Sequence, residues 1–429
     1  MSFFGKYAAD LKSEFRGYNA SKLSKDILAG VTVTAVALPL ALAFGVSSGA
    51  SAAAGLITAI IAGLVMGTLS GAEYQISGPT GSMCIILAGV AAKFSMQGML
   101  ITGMLAGAIL LIAGVLKLGR VVKLIPPVII TGFTSGIALV IALSQYDNFF
   151  GVQGNGAKLS DKLLNLVTNF NADWRSIAVG LLVIAIIATI PKKISSYFPS
   201  SLIALILVSS VCALMKIDIP KVGEIPATLL LGDRLILTAI PWDRLPQILL
   251  PAVSIAALVM IESLLCGSAA VKMREGLTEL DANRELIAQG IGNMILPFFG
   301  GIPAVAAVSR TSVAIKSGSA TRLTSIIHAL GLLASMFILG SVMSQIPLSA
   351  LAGTLMVTAW RMNDWTAIKA MFKERKALLI AQYAITMVST AVLNLIAAII
   401  IGTALSMIIK YAPVLMRKLK RGKTVGKRT

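Results

Sequence analysis

The chain has 429 residues, of which 57% are hydrophobic and 13% are charged, and its formal net charge at pH 7 is +19. A soluble protein of this length would carry about twice that charged fraction, so the composition excludes an ordinary soluble domain and indicates a polytopic membrane protein. The basic residues lie in short loops and in the C-terminal tail, as anionic lipid headgroups require, so the charge does not indicate a nucleic-acid partner.

Apolar segments that can cross or enter a lipid bilayer recur along the whole chain. We predict fourteen of them, over residues 26–48, 52–70, 79–94, 99–116, 126–146, 176–190, 199–215, 245–271, 283–298, 304–316, 321–344, 348–360, 377–393 and 395–416. Residues 1–25 have no long apolar core or cleavage site, so they predict a cytoplasmic amphipathic N-terminus rather than a signal peptide.

The distribution of lysine and arginine supports this count. If the N-terminus is cytoplasmic, the even-numbered gaps between spans face the cytoplasm, and they carry basic residues such as Lys117, Lys192 and Lys272. Residues 71–78 form the even-numbered gap that has none. The basic tail, 417–429, also falls on the cytoplasmic side. We therefore expect a multi-pass protein of the inner cell membrane with both termini in the cytoplasm.

Two of the apolar regions are broken by glycine and proline. Gly78 and Pro79 interrupt the first region, and Gly300, Gly301 and Pro303 interrupt the second. Glycine loosens a helix, and proline removes a donor and clashes one turn back, so each break predicts a short extended segment followed by a half-length helix. The first of these half-helices is predicted to begin at Pro79, where proline is tolerated. Seven plus seven spans imply two inverted halves, in which the broken segments 3 and 10 begin near the midplane.

A helix that begins inside a membrane directs unpaired N–H groups and the positive end of its dipole at whatever lies there. Lipid cannot satisfy those groups, so they must face protein or a wet cavity. Thr80, Gly81 and Ser82 offer N–H groups and hydroxyls at the first helix start. These residues fit an anion site at membrane depth, and they also fit plain helix capping, with which that role is compatible.

Glu262 lies deep in the eighth span, where an ionisable group costs about 2.5–3.5 kcal/mol on insertion scales. It should therefore face protein or water, and we favour a role in proton coupling over that of a structural carboxylate paired with Arg310 or with a helix N-terminus. Arg310 itself, about two turns into the tenth segment, either adds positive charge behind the helix start or extends towards the cytoplasm with Lys316. Phe44, in the first span, either walls the site or packs within the core.

Signatures of enzymes and metal sites are missing. The sequence has no HExxH, GxSxG, Walker A or dinucleotide-binding motif, so we predict a protein that is not an enzyme and has no cofactor. Cys84, Cys212 and Cys266 stand apart in apolar surroundings, and His328 is the single histidine, so neither disulfides nor a metal cluster is expected.

Glycines at four-residue spacing suggest close helix contacts. They stand at positions 63, 67 and 71 and again at 103 and 107. Such steps let helices approach either within the chain or across a homodimer face, and we favour internal packing.

Two blocks of the sequence resemble the SulP sulfate permease family, which is related to the animal SLC26 anion transporters. The first block comprises Asp26–Gly30, Ala37–Phe44 and Gln75–Gly81, and the second comprises Asn283–Asn293, Gly300–Pro303 and Ser309–Thr311. The resemblance covers roughly residues 20–412. Most members of the family continue into a STAS domain, for which the tail here is too short, so only the membrane domain is expected.

The resemblance implies an all-α, UraA-like fold with fourteen transmembrane segments in a 7+7 inverted repeat, whose half-helices 3 and 10 meet at mid-membrane. It further implies a core domain (26–125 and 245–344) that moves like an elevator against a gate domain (126–244 and 345–416). Members transport sulfate, bicarbonate, chloride or dicarboxylates.

The resemblance also implies the site. Its substrate-binding residues would be Phe44, Thr80, Gly81, Ser82, Val305, Ala306, Ala307, Ser309 and Arg310. The acidic coupling position would be Glu262. Sodium-coupled bicarbonate members carry Asp at that position and a hydroxyl one turn later, where this chain has Cys266. A thiol is a poor ligand for a hard cation, which favours H⁺ over an Na⁺ bound near Glu262, Cys266 and Gly300.

Our leading hypothesis is therefore a proton-coupled secondary transporter of a small oxyanion or dicarboxylate. The alternatives are a sodium-coupled bicarbonate importer, an uncoupled anion channel or exchanger, and a nucleobase carrier of related fold. A nucleobase pocket usually needs carboxylates, and we expect Glu285 near the membrane surface, which leaves Glu262 alone. An intramembrane enzyme lacks a nucleophile–base set.

Overall fold

The computed structural model describes residues 3–120, 126–152, 172–195, 198–236, 238, 244–274, 276–374, 376–393, 397–398 and 401–408. The predicted tail, 417–429, and part of the predicted last span, 395–416, lie outside these residues.

Helices dominate the described residues. In chain order they are α1 (Phe3–Glu14), α2 (Ala20–Ser47), α3 (Ala52–Leu69), α4 (Gly81–Val115), α5 (Pro127–Ser144), α6 (Tyr146–Phe150), α7 (Trp174–Thr189), α8 (Lys192–Ser195), α9 (Ser200–Leu214), α10 (Leu245–Val271), α11 (Ala282–Ile295), α12 (Val308–Lys316), α13 (Leu323–Met343), α14 (Leu348–Met362), α15 (Trp365–Lys373) and α16 (Ala377–Val392). A 3-10 turn, Leu296–Phe299, follows α11 directly.

Within the described ranges, six helical stretches are long and apolar enough to cross a membrane. They are Ala20–Ser47, Ala52–Leu69, Ile86–Val115, Pro127–Phe150, Leu245–Val271 and Leu323–Met343. Shorter apolar helices cover Trp174–Thr189, Ser200–Leu214 and Ala377–Val392. These helices lie at the positions that the hydropathy of the sequence predicted.

Two short strands join the halves of the chain. Strand β1 (Ser77–Gly78) pairs antiparallel with β2 (Val305–Ala306), with Ser77 opposite Ala306 and Gly78 opposite Val305. Each strand ends one or two residues before a helix, α4 or α12, so the extended segments predicted at both breaks are present and pair with each other. All four strand residues are buried.

The third and fourth predicted spans are two helices that meet at a kink inside α4, so the break predicted between residues 94 and 99 is present, although no loop separates the two helices. Ser95 has φ 65° and ψ −178° inside α4, whereas the residues on both sides are helical. Positive φ is uncommon for a residue with a side chain, and a sharp bend needs such a local interruption. The half-helix that begins at Gly81 therefore ends at the kink at Ser95.

Asp26 ties the first membrane helix to the start of α13. Its carboxylate is buried and accepts hydrogen bonds from the backbone N–H groups of Ala320 (2.7 Å) and Thr321 (2.9 Å) and from the hydroxyl of Thr324 (2.9 Å). The two backbone donors lie in the turn just before Arg322, the N-cap residue of α13. Asp26 therefore pairs the backbone of this turn from a distant helix.

The spaced glycines allow close helix contacts within the chain. A Cβ on Gly107 would lie 2.7 Å from the carbonyl oxygen of Gly290, and one on Gly63 would lie 2.9 Å from the Cβ of Ala329. A Cβ on Gly103 would lie 2.7 Å from the ring of Pro303. Internal packing therefore accounts for these glycines, and α4 and α11 touch backbone to backbone.

Internal contacts divide the chain into two compact units. One comprises Met1–Val122 with Ile141–Ala359, and the other comprises Lys123–Val140 with Trp360–Thr429. The first unit holds both strands and every residue of the candidate site. In the second, Ile368 and Met371 of α15 pack with Tyr383 of α16. The core and gate boundaries inferred from the family resemblance stay a prediction.

Candidate anion site at two helix starts

Both half-helices begin next to the paired strands β1 and β2. Helix α4 begins at Gly81, after the extended residue Thr80, and α12 begins at Val308, after the extended residue Ala307. Neither N-cap side chain accepts a capping hydrogen bond from a backbone N–H group of its helix. Because the first turn of a helix exposes unpaired N–H groups and a partial positive charge, the two starts present electropositive groups to one neighbourhood.

The helix start predicted at Pro79 is wrong by two residues. Pro79 and Thr80 stay extended because the pairing of β1 with β2 runs up to Gly78, and Thr80 has φ −133° and ψ 157°. The carbonyl oxygen of Pro79 accepts a hydrogen bond from the guanidinium of Arg310. The proline therefore ends the strand segment rather than opening the helix.

Polar side chains gather at the start of α4. The hydroxyl oxygens of Thr80 and Ser82 lie 3.0 Å apart, and the Thr80 hydroxyl donates to the carboxylate of Glu262 at 3.4 Å. Ser82 is buried, whereas Thr80 and Glu262 are partly exposed. The carboxylate of Glu262 thus lies beside the positive end of α4, although the two residues are far apart in the sequence.

Arg310 is the largest fully buried side chain described in the structure, at 1% exposure. It lies in the first turn of α12, so the sequence-based position two turns into the segment is wrong, because β2 takes up the residues before Val308. One nitrogen, Nη2, donates to Pro79, whereas Nε and Nη1 have no hydrogen-bond partner in the described part of the chain. Its observed bond is to Pro79 and not to Glu262.

Gly78 makes room for this guanidinium. A Cβ at Gly78 would overlap Nη1 of Arg310. Gly78, which was predicted to loosen a helix, therefore also lets the buried guanidinium of Arg310 lie against the backbone of β1.

Phe44 lies against the start of α4. A Cβ on Gly81 would lie 3.1 Å from the Phe44 ring and would also overlap the side chain of Ile141. The carbonyl oxygen of Phe44 accepts from the thiol of Cys84 at 3.3 Å. Phe44 and Gly81 are thus adjacent, as a site walled by this ring requires.

The remaining predicted residues are distributed unevenly. Strand β2 and the residue after it are buried, which covers Val305, Ala306 and Ala307. In contrast, Ser309 lies on an exposed face of α12. The thiol of Cys266 donates to the hydroxyl of Thr311 at 3.3 Å.

Gly300 has φ 82° after the 3-10 turn. A Cβ there would lie 2.8 Å from the Cβ of Leu231, so Gly300 contacts the segment that follows α9.

Side chains that the sequence analysis did not single out satisfy the backbone of the broken segments. The amide of Asn293 bonds to both the N–H (2.8 Å) and the carbonyl (2.9 Å) of Ala304, and Thr58 accepts from the N–H of Ile302 at 2.8 Å. Thr311 accepts from the N–H of Ile76 at 3.1 Å. Non-helical backbone at membrane depth survives only where protein or water satisfies it.

One sequence signal could have found part of this set. Glu285, Gln289 and Asn293 recur every four residues, so they lie on one face of α11. All three are buried, and the expectation that Glu285 lies near the membrane surface stays a prediction. A polar stripe in a membrane helix indicates a buried network.

Known proteins resemble the chain over most of its length. The profile of the Sulfate permease family matches residues 23–385. YvdB of Bacillus subtilis, which bears the name of a sulfate transporter, is 32% identical over 403 residues, covering 90% of this chain and 74% of YvdB. The bicarbonate transporter BicA of Synechocystis is 33% identical over 399 residues, covering 90% of this chain and 69% of BicA.

Solved structures share the fold. The transmembrane domain of a cyanobacterial bicarbonate transporter BicA superposes with a TM-score of 0.80 at 30% identity, covering 89% of this chain and 98% of that domain. SLC26A9 superposes with a TM-score of 0.81 at 19% identity, covering 96% of this chain and 70% of that structure. The predicted all-α fold with a 7+7 inverted repeat is thereby confirmed.

Proposed function

The chain belongs to the sulfate permease family of membrane anion transporters, which are not enzymes, and we propose that it is a proton-coupled secondary transporter of a small oxyanion or dicarboxylate. The observation that carries the proposal is the meeting of two helix starts beside the buried guanidinium of Arg310.

Three positive groups favour an anion at this place. Each helix start carries roughly half a positive charge, and the guanidinium of Arg310 adds a full one. The first-turn N–H groups of α4 and the hydroxyls of Thr80 and Ser82 supply hydrogen-bond donors. This chemistry suits sulfate, bicarbonate or a dicarboxylate, because each presents several acceptor oxygens and negative charge.

Glu262 provides a route for coupling to protons. Its carboxylate lies within hydrogen-bond reach of Thr80, at the helix start that would receive the anion. At about 5 Å and an effective dielectric constant of 20, an ionised carboxylate would oppose a bound monoanion by about 3 kcal/mol. Protonation of Glu262 removes this repulsion, so a proton and an anion bind together. The sign of this effect makes uptake stronger as the pH on the loading side falls.

A rigid anion-binding unit suits an elevator mechanism. Asn293 and Thr58 fix the second broken segment, and Asp26 fixes α2 to the start of α13. These contacts and the site lie within one compact unit, which also includes residues 141–244 and 345–359 of the predicted gate. We propose that the predicted core, 26–125 and 245–344, carries the anion as one body past the predicted gate. In this proposal the protein lies in the inner membrane with both termini in the cytoplasm.

Uptake by purified protein in proteoliposomes tests the proposal. Radiolabelled sulfate, bicarbonate and fumarate are each offered under a pH gradient alone and under a sodium gradient alone. We expect an acidic exterior to drive accumulation of at least one anion, with no stimulation by sodium. Accumulation that follows the sodium gradient, or equilibration that follows neither gradient, would contradict proton coupling.

Sodium-coupled bicarbonate import is the second candidate, because BicA proteins are among the relatives. The thiol of Cys266 argues against it, since this thiol is bonded to Thr311 and sulfur is a poor partner for sodium. Bicarbonate uptake that needs sodium and ignores pH would favour this candidate.

A further inference from the structure

The N-terminal helix α1 is bound to membrane-helix ends by charged residues on one of its faces. Three residues spaced four apart each meet a different partner: Lys6 meets Asp281 (2.6 Å), Asp10 meets Arg284, and Glu14 meets Arg322 (2.7 Å). Residues at this spacing lie on one side of a helix. The partners stand at the starts of α11 and α13, so α1 bridges two helices that are distant in the sequence.

The two arginines that α1 holds also reach the end of α3. Nε of Arg284 donates to the carbonyl oxygen of Ser70 at 3.0 Å, and Nη1 of Arg322 donates to that of Thr68 at 2.5 Å. The hydroxyl of Tyr7, on α1 itself, donates to Thr68 as well, at 2.9 Å. The last carbonyl groups of a helix have no partners within it, so these donors cap α3.

The ring of Tyr7 lies close to the same two arginines. The guanidinium carbons of Arg284 and Arg322 are 5.7 and 5.5 Å from the ring centroid. Guanidinium groups are attracted to the face of an aromatic ring at such distances. Helix α1 therefore orients both arginines through its acids and through its tyrosine.

A continuous path of hydrogen bonds leads from the end of α3 to β1. The carboxylate of Glu285 accepts from the hydroxyl of Ser70 (2.8 Å), from the N–H of Gly71 (2.9 Å) and from the amide of Gln289 (2.8 Å). The same amide nitrogen of Gln289 donates to the hydroxyl of Ser77 in β1 at 2.8 Å. The side chains along this path are buried, so water does not compete for these bonds.

Because the two arginines are buried, the hydrogen bonds of this path depend on the carboxylates of α1. Arg284 and Arg322 are 5% and 4% exposed, so both depend mainly on protein partners. The Glu14 side chain is buried as well, whereas that of Asp10 is 41% exposed. A buried charge that loses its partner must move or rearrange its neighbours. The neighbours here are the end of α3 and, through Glu285, the segment that leads into β1.

We propose that Asp10 and Glu14 of α1 are positioning residues for the anion site. They hold Arg284 and Arg322 on the end of α3 and thereby set the position of β1, against which Arg310 and the start of α4 are placed. The effect on anion affinity rests on the proposed function, whereas the effect on β1 does not.

Hydrogen–deuterium exchange on the protein in lipid nanodiscs tests the structural step. The variants are Asp10→Asn, Glu14→Gln and the two combined, and the matched control is Lys12→Ala, an exposed residue of the same helix. We expect the combined variant to speed amide exchange in the peptide covering residues 70–78 at least about fivefold, with the control unchanged. Faster exchange confined to α1, with residues 70–78 as in the wild type, would overturn the proposal.

Transport kinetics test the proposed effect of α1 on anion affinity. The substrate is the one of sulfate, bicarbonate and fumarate that the wild type accumulates. We expect the combined variant to raise KM about tenfold while the maximal rate stays within about twofold, and Asp10→Glu to keep the wild-type KM. A fall in the maximal rate alone would show that α1 has only a structural role. If the wild type moves none of the three anions, the proposed function fails, and the exchange result alone decides whether α1 positions β1.

Discussion

The two broken segments occupy equivalent places in the two halves of the chain, yet they are built differently. The first carries hydroxyls, Thr80 and Ser82, next to the carboxylate of Glu262. The second is apolar through Val305–Ala307 and gains its charge from Arg310. The inverted repeat thus fixes the geometry of both helix starts, whereas the chemistry is divided between them. In the proposed mechanism, Glu262 beside the first break binds the proton, and Arg310 after the second break supplies the fixed positive charge.

The support behind the two breaks differs as well. Asn293 and Thr58 hold the second break by hydrogen bonds to its backbone, and both come from neighbouring membrane helices. The first break is held by Thr311, by Gln289 and, through the end of α3, by the N-terminal helix. The second break is therefore fixed within the membrane helices, whereas the first is also tied to α1.

Removing the fixed charge should have the largest effect. Arg310→Ala is expected to lower the initial rate of anion uptake about 100-fold or more, since a unit charge about 4 Å from an anion contributes about 4 kcal/mol at an effective dielectric constant of 20. The control is Lys316→Ala, in the last turn of the same helix, which should stay close to the wild type. A wild-type uptake rate in Arg310→Ala would remove the second break from anion binding.

Neutralising the acidic group of the first break should abolish coupling while leaving exchange. Glu262→Gln cannot ionise, so we expect gradient-driven accumulation to vanish and the pH dependence of uptake to flatten, with exchange of labelled for unlabelled anion retained. Glu279→Gln, at an exposed position, is the matched control. Unaltered accumulation in Glu262→Gln would show that the proton is carried elsewhere.

The contact between Gly78 and Arg310 can be tested by combining substitutions at both positions, because their effects on stability should not add. Gly78→Ala places a methyl group on Nη1 of Arg310, and we expect uptake to fall about tenfold or more and thermal stability to drop. In an Arg310→Ala background the same substitution should cost little further stability, because the clash is gone. Additive losses of stability in the double variant would mean that Gly78 is needed for the backbone conformation and not to make space for the guanidinium.

The unequal support of the two breaks predicts unequal losses of stability. Asn293→Leu leaves both backbone groups of Ala304 unpaired, whereas Thr311→Val leaves the N–H of Ile76, and each such group costs about 1–3 kcal/mol. Denaturation in dodecyl sulfate should therefore show about twice the loss for Asn293→Leu. Ser135→Ala removes a buried hydroxyl that has no partner in the described residues and serves as the control. Equal losses would contradict the difference in support.

The smallest effect is expected at Cys266. Cys266→Ser keeps the donor to Thr311 and replaces a soft atom by a hard one, so proton-driven uptake should stay within about twofold of the wild type. Strong sodium dependence of uptake by the wild-type protein, lost in Cys266→Ala, would instead assign this residue to a cation site.

Patterns in the sequence predicted the membrane helices and the two breaks because hydropathy, glycine and proline act locally. The pairing of β1 with β2 made the predicted start at Pro79 wrong by two residues, since tertiary hydrogen bonds kept the proline extended. The kink at Ser95 lies in the gap between the predicted spans 79–94 and 99–116, although that position carries neither proline nor glycine.

The contacts of α1 lay beyond sequence reasoning for another reason. Lys6 and Asp281 are 275 positions apart, and an ion pair between residues so distant leaves no periodic signal in one sequence. The same holds for Arg310 and Pro79. Buried polar groups such as Gln289 were detectable only as a four-residue stripe, which does not say what they bind.

The central claim is that the two helix starts form one anion site, and locating a bound anion tests it most directly. Selenate, a heavy analogue of sulfate, can be placed by its anomalous X-ray scattering in crystals of the protein. We expect one peak between the first turns of α4 and α12, near Thr80 and Ala307, which disappears in Arg310→Ala crystals. A peak away from both helix starts, or one that persists without Arg310, would contradict the account.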